Sequence, residues 1–339
     1  MLRADNGNHD GNADGGQAPA APSDDLVLPF RTVKSDVIGR VVRLGPVVHA
    51  ILSRHAYPEP VSHALGEALT LTAMLGSALK AEAKLILQTK TDGALDFLVS
   101  HFEPSTPLRG QVRGYANFDK ADAALAATKG RGDQGALLGE GHLAMTIDPG
   151  GGRDSYQGIV GIAREPLLAA AHEYFRQSEQ LPTFIRLAVA RHYGPPEGGG
   201  PRAWHWRAGG LMIQQLPREG RSEPHRDKAI PDKAISDEEF EENWNRAHHL
   251  AATVEDHELT DPMLAPERLL YRLFHEEGVR VVPATGLAEV CRCSRERIAL
   301  YLERFGAQEL ADLREPDGAL TVTCEFCSRQ YRFEPDEVV

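Results

Sequence analysis

The chain has 339 residues, 42% hydrophobic and 25% charged, with a formal net charge of -12; that length suits two or three domains with a substantial buried core. No uninterrupted apolar run approaches the roughly twenty residues of a membrane-spanning helix, which excludes a helical membrane protein. The acidic balance argues against nonspecific attraction to nucleic acid, which relies on a basic face.

Residues 1–25, rich in Gly, Asn, Asp, Ala and Pro, lack the apolar stretch of an export signal and read as a disordered tail, so a cytoplasmic location is expected. From 26 to 43, apolar and polar residues alternate with many β-branched side chains, predicting one or two strands. Pro46 opens a helix with Val47, Val48, Ile51 and Leu52 on one face. A longer helix is expected over about 60–80, where Val61, Leu65, Leu69, Met74 and Leu79 fall near helical spacing. Its small residues Ala64, Gly66, Ala68, Ala73, Gly76 and Ala78 permit close packing.

Residues 84–90, the turn Thr91-Asp92-Gly93 and residues 94–102 form a β-hairpin signature. A strand over 108–115, a short helix over 121–127 and strands over 142–148 and 156–162 follow. The connection Pro149-Gly150-Gly151-Gly152 is read as a turn and not a phosphate loop, since no Gly-Lys-Ser/Thr follows. Residues 166–177 predict an amphipathic helix, and 183–191 and 210–216 two buried strands separated by a Pro/Gly loop over 192–202. Strands interrupted by helices, with hairpins and no regular βαβ repeat, indicate an α+β domain.

A polar stretch ending near 235 marks a boundary. Ser236 followed by Glu239 is a capping-box pattern, and Phe240, Trp244, Ala247, Ala251 and Val254 keep three-four spacing behind it. Asp261-Pro262 interrupts the pattern, and Pro266 opens a second helix bearing Leu269, Leu270, Leu273 and Phe274, closed near Gly278. Helices this short are marginal alone, so their apolar stripes need a partner surface.

All four cysteines lie beyond residue 290: Cys291 and Cys293 as C-R-C, Cys324 and Cys327 as C-E-F-C. Two close pairs about thirty residues apart can place four sulfurs around one ion, the usual logic of a tetrahedral four-cysteine zinc site. The same pairs can also close on themselves as disulfides. A helix is expected over 294–305 and a hairpin over 320–333 with the second pair at its turn, and Arg292, Arg295, Arg297 and Arg329 are placed to offset thiolate charge. Spacing alone leaves a static structural zinc and a redox switch both open.

C-R-C-S-R-E-R followed by C-E-F-C resembles the redox-regulated holdase chaperones of the heat-shock protein 33 family. The similarity extends through R-H-A-Y-P-E-P-V at 54–61, G-E-A-L-T-L-T-A-M-L-G at 66–76, G-H-L-A-M-T-I-D at 141–148, Y-F-R-Q-S-E-Q-L-P-T at 174–183 and L-Y-R-L-F-H-E-E at 270–277. The resemblance implies an N-terminal α+β domain over 26–219, a helical redox-sensitive linker over 220–283 and a zinc-binding switch domain over 284–339. It implies one Zn2+ on Cys291, Cys293, Cys324 and Cys327 in an inactive, reduced monomer. It implies that oxidation pairs Cys291 with Cys293 and Cys324 with Cys327, releases zinc, unfolds the linker, and gives a dimeric, ATP-independent holdase that binds unfolding client proteins. The client surface expected from the linker is Phe240, Trp244, Val254, Leu269, Leu270, Leu273 and Phe274.

Three rival readings are weaker. A zinc-ribbon nucleic-acid binder needs a basic face, but Glu289, Glu296, Glu303, Glu309, Asp312, Glu315 and Asp317 leave the C-terminal region acidic. A zinc enzyme keeps an open coordination position, which four cysteines close. A thiol-disulfide oxidoreductase would carry C-x-x-C ahead of a helix, whereas here it lies in an expected metal knuckle. The sequence also holds no H-E-x-x-H, G-x-S-x-G or Walker motif, so a non-enzymatic role is expected.

Overall fold

Two adjacent strands near the start of the chain are buried on both faces. In β1 (Leu26–Thr32), Val27 faces one core while Leu28 and Phe30 face another; in β2 (Val37–Leu44), Val42 and Leu44 oppose Val37 and Val41 in the same way. A period of two with apolar residues on both sides is what a strand sandwiched between helical layers requires. The computed structural model describes residues 24–80, 82–119, 134–179, 181–196, 199–216, 236–334 and 337. Almost all of the expected tail, the helix expected over 121–127 and the polar stretch before 236 lie outside the described residues.

The inner layer begins with α1 (Pro46–Ser53) and α2 (Glu59–Gly76). α2 is buried around most of its circumference, and its small residues let it lie close to the sheet. A Cβ on Gly76 would sit 2.4 Å from the Phe102 ring, so the helix end admits only glycine there. Strands β3 (Lys84–Thr91) and β4 (Phe97–Thr106) form the expected hairpin, the expected third strand β5 (Arg109–Asn117) pairs with β4, and α3 (Gln134–Leu138) leads into β6 (Glu140–Asp148) and β7 (Tyr156–Ala163). α4 (Leu167–Tyr174), extended by a π-helical turn, precedes β8 (Thr183–Gly194) and β9 (Ala203–Gln215). The loop expected over 192–202 is shorter than its composition suggested. The ladder continues through His192–His205 and Tyr193–Trp204, where the aromatic pair packs at 5.3 Å between ring centroids.

After the polar stretch come α5 (Asp237–Ala252), α6 (Asp256–Thr260) and α7 (Pro266–Phe274). The Ser236 hydroxyl accepts from the Glu239 N–H, the expected cap. The helix break comes earlier than Asp261-Pro262, because a reciprocal cap between Glu255 and Glu258 starts α6. Two strands unseen in the pattern follow, β10 (Val279–Val281) and β11 (Thr285–Glu289). All eleven strands to this point form one sheet in the order β7-β6-β3-β4-β5-β11-β1-β2-β9-β8, with β10 also on β1. β11 runs parallel to β5 and antiparallel to β1, and so joins the two halves of the sheet. The position expected for a domain boundary, 283/284, therefore falls between two strands of the same sheet. The chain ends in α8 (Arg295–Leu302), α9 (Ala307–Asp312) and the hairpin of β12 (Leu320–Thr323) and β13 (Gln330–Phe333). The architecture is α+β.

Register fixes which groups share the outer face. Leu26 pairs with Gly286 and Arg43, Gly286 with Arg109, Arg113 with His101, and Tyr115 with Val99. α5 to α7 cover this face over β1, β2, β9 and β8, burying Ala247, Ala251, Val254, Leu259, Leu269, Leu270, Leu273 and Phe274 against Leu28, Phe30, Val41, Leu211 and Ile213. Phe274 meets Phe30 with ring centroids at 5.5 Å. Backbone approach adds to the seal: a Cβ on Gly209 would lie 2.1 Å from the Leu259 carbonyl oxygen. Buried Arg43 and Arg207 donate to the carbonyls of Asp261 and Thr260, and Asp24 balances their charge.

Candidate metal centre

β11 delivers the chain to the cysteines, ending at Glu289, two residues before Cys291. Ser294 then caps α8 by accepting from the Arg297 N–H. The second pair sits at the knuckle between β12 and β13, where the Ser328 N–H donates to the Cys324 carbonyl at 2.8 Å and the Cys324 N–H to the Arg329 carbonyl at 2.9 Å. Ser328 takes φ 57°, the left-handed turn conformation.

All four cysteines are free thiols. Cys291 lies 3.4 Å from Cys293 and 3.6 Å from Cys324, Cys293 lies 3.3 Å from Cys327, and all four sulfurs fall within 4.8 Å of one another. A regular tetrahedron with about 2.3 Å metal–sulfur bonds has edges of about 3.8 Å, so the cluster has the size and donor set for one metal ion. Among the described residues no other His, Cys, Asp or Glu group clusters in this way. The module's own apolar core is small, centred on Leu302, Leu310, Leu320 and Phe333.

The thiols are not equivalent. Burial pushes Cys291 and Cys327 up. Burial opposes the Cys293 thiolate too, but hydrogen bonds from the Tyr331 hydroxyl, at 3.2 Å, and from the neighbouring thiols outweigh it and bring the group down to about 7. Of the four arginines expected to offset thiolate charge, Arg329 is held up first by its Tyr331 partner and then by Cys293 and Cys327 beside it. Arg292 instead pairs with Glu103 at 2.6 Å, Arg295 with Glu337 and the Phe333 ring, and Arg297 donates to the Arg292 carbonyl. The cation missed by sequence reasoning is Arg54. It follows α1, makes a bidentate pair with Glu289 at 2.5 and 2.6 Å, and lies in the field of Cys327 and Cys291. Its distance along the chain left no local signal.

Residues within and beside the cysteine pairs also dock the module on the outer face over β4 and β5. The Phe326 ring meets Tyr115 edge-on at 4.9 Å and His101 at 5.6 Å, under the Arg113 guanidinium at 4.4 Å. Ser328 hydrogen-bonds His55 at 3.0 Å. Burial, then Arg113, push His101 down to about 4, so its neutral ring accepts from Arg113.

The linker residues expected as client surface fall mostly under cover. Val254, Leu269, Leu270, Leu273 and Phe274 are buried against the sheet, and Trp244 is half-buried beside them. Phe240 is only partly buried, and its carbonyl accepts from Gln215.

An α+β core, a helical linker folded on its sheet and a terminal four-thiol module define a protein whose candidate metal centre is docked on the same sheet face that the linker covers. The family model described as Hsp33 protein matches residues 25–334. The chain is 41% identical over 314 residues to the 33 kDa chaperonin of Caulobacter vibrioides (strain NA1000 / CB15N), covering 92% of this chain and 95% of that one. It is 35% identical to the 33 kDa chaperonin of Pseudomonas putida (strain F1), covering 94% and 93%. A crystal structure of the 33 kDa chaperonin (heat shock protein 33 homolog) of Thermotoga maritima shares its fold at a TM-score of 0.68 and 22% identity, over 92% of this chain and 96% of that one. The chain belongs to the Hsp33 family of chaperones. Among the described residues no helix is long and apolar enough to cross a membrane.

Proposed function

We propose that the chain is a cytoplasmic, ATP-independent holdase that is held inactive while Cys291, Cys293, Cys324 and Cys327 bind one Zn2+ and is switched on by oxidation. A bound Zn2+ would hold four thiolates together and supply folding free energy to the module, on the order of 10 kcal/mol at comparable sites. The observation that carries the reading is the scarcity of apolar residues in the module beside their abundance under the linker: four residues form the centre of one cluster, whereas the linker stripe is sealed against the sheet.

The family resemblance supports pairing Cys291 with Cys293 and Cys324 with Cys327. In each pair two thiols and one molecule of peroxide give one disulfide and two waters, so the sulfurs lose two electrons and the peroxide oxygens gain them. Closing both pairs dismantles the ligand set, releases the metal and unravels the module. The linker, anchored through β10 and β11 immediately before the cysteines, then loosens. Val254, Leu269, Leu270, Leu273, Phe274, Trp244 and Phe240 become surface for unfolding clients, and oxidised monomers pair as dimers.

Light scattering of a heat-denatured client decides the matter. Peroxide-treated protein suppresses aggregation and reduced, zinc-loaded protein does not; equal aggregation with both sinks the proposal. Metal release and free-thiol count followed together give a second reading, in which retained metal and four unreacted thiols under activating conditions leave a static structural site.

A further inference from the structure

The docking of Phe326 identifies a binding surface of its own. The ring at the centre of C-E-F-C is clasped by the Tyr115 edge, the His101 ring and the Arg113 guanidinium, and Tyr115 is backed by Phe97 at 5.8 Å. Guanidinium above a ring and aromatic edges beside it select an aromatic π-system over an aliphatic chain. The socket lies on the same sheet face as the linker seal but at its other end, separated by β11. It continues outward along the paired rows: His101 faces Ile86, while Val99 leads through Gln88 and Ala144 to Ile159, which is 57% exposed on β7.

What holds the cover in place belongs to the cysteine segments. Arg292, between Cys291 and Cys293, pairs with Glu103; Phe326 lies between Cys324 and Cys327; Ser328 follows Cys327 and meets His55. Every one of these contacts is made by the folded cysteine module. We propose that the socket of Tyr115, His101 and Arg113 is a second client site, which accepts an aromatic side chain from an extended segment of an unfolding polypeptide once the knuckle withdraws. Phe326 is the stand-in occupant and shows the chemistry the site takes. The inference rests on the oxidative-holdase reading for its trigger, but the socket's preference can be tested without that trigger.

The probe is a dye-labelled, unstructured peptide with one central Phe, compared by fluorescence anisotropy with the same peptide carrying Leu. Full-length peroxide-treated protein is expected to prefer the Phe peptide. Tyr115→Ala and the size-conserving Arg113→Gln are each expected to weaken Phe-peptide binding about tenfold, as loss of an aromatic or cation–π contact would, and to leave Leu-peptide binding unchanged. Phe326→Ala, reduced and metal-loaded, is expected to bind the Phe peptide without oxidation, whereas reduced wild type does not. Variants that bind the Phe peptide as wild type does, or an equal response to Phe and Leu, overturn the socket. If oxidised wild type still suppresses client aggregation in that case, the holdase reading survives alone. If it fails to suppress aggregation, that reading falls, and the reduced Phe326→Ala protein still decides the socket.

Discussion

The linker and the knuckle cover two ends of one sheet face by opposite means. The linker lays Leu269, Leu270, Leu273 and Phe274 onto β1, β2 and β9 in a dry seal, where each fully buried side chain contributes roughly 2 kcal/mol as an upper estimate. The knuckle side is docked chiefly by one aromatic ring, a serine–histidine hydrogen bond and the part-exposed Arg292–Glu103 ion pair, which contributes about 0–1 kcal/mol. Apolar burial is indifferent to the state of a thiol. The knuckle's few contacts depend on the shape of the turn between Cys324 and Cys327, so under the proposed switch, chemistry at the sulfurs would act first on the weaker attachment and reach the stronger one through β11.

Removing the metal should break this asymmetry most completely. Chelation from the reduced, zinc-loaded protein is expected to erase amide-exchange protection in α8, β12 and β13, a loss on the order of 10 kcal/mol, while β1, β2 and β9 keep theirs. Protection surviving in β12 and β13 would mean that the small apolar core suffices without metal. Next in size is Phe274→Ala, which opens a cavity opposite Phe30 at a cost of about 3–5 kcal/mol. It is expected to lower the midpoint of urea unfolding and to give the reduced protein partial holdase activity; an unchanged midpoint would mean that the seal lies elsewhere. Gly209→Ala drives a methyl into the Leu259 carbonyl at the same seal, with an expected cost of about 1–3 kcal/mol. It should increase proteolytic cleavage within 253–265 and spare α8.

Much of this was legible in the chain because the signals are local. The Ser236 cap, the stripe from Leu269 to Phe274, the β3–β4 hairpin and the bunched cysteines each declare themselves within a few residues. The remainder was set by contacts distant in sequence. β10 and β11 are three and five residues long and owe their existence to β1 and β5. Arg54 reaches Glu289 across 235 positions, and the socket for Phe326 is built from side chains on β4 and β5 that alternate like any half-buried strand. Nothing in the spacing of C-E-F-C distinguishes a docked Phe from an exposed one.

The smallest effects test the knuckle side alone. Arg54→Ala removes the bidentate partner of Glu289 and is expected to cost about 1 kcal/mol, read as faster metal transfer to a chelator with no change in the unfolding of the core. A large loss of core stability would mean that the pair serves chiefly to tie α1 to β11 and not to support the thiol cluster.

Proton linkage at His101 gives the finest test. Burial and then the Arg113 charge lower its pKa from 6.5 to about 4, with Glu103 opposing them. Between those values the docked state binds fewer protons than a state with His101 in water, so docking is favoured as pH rises and loses this contribution as pH falls from 6.5 towards 4. Part of the burial comes from Phe326, whose ring lies 5.6 Å away. In the reduced, zinc-loaded protein the His101 imidazole resonances should therefore titrate near 4, and in Phe326→Ala they should move towards 6.5. A value that stays near 4 in the variant would show that the strands alone desolvate the ring, and that the knuckle rests on the sheet more lightly than the geometry of Phe326 implies.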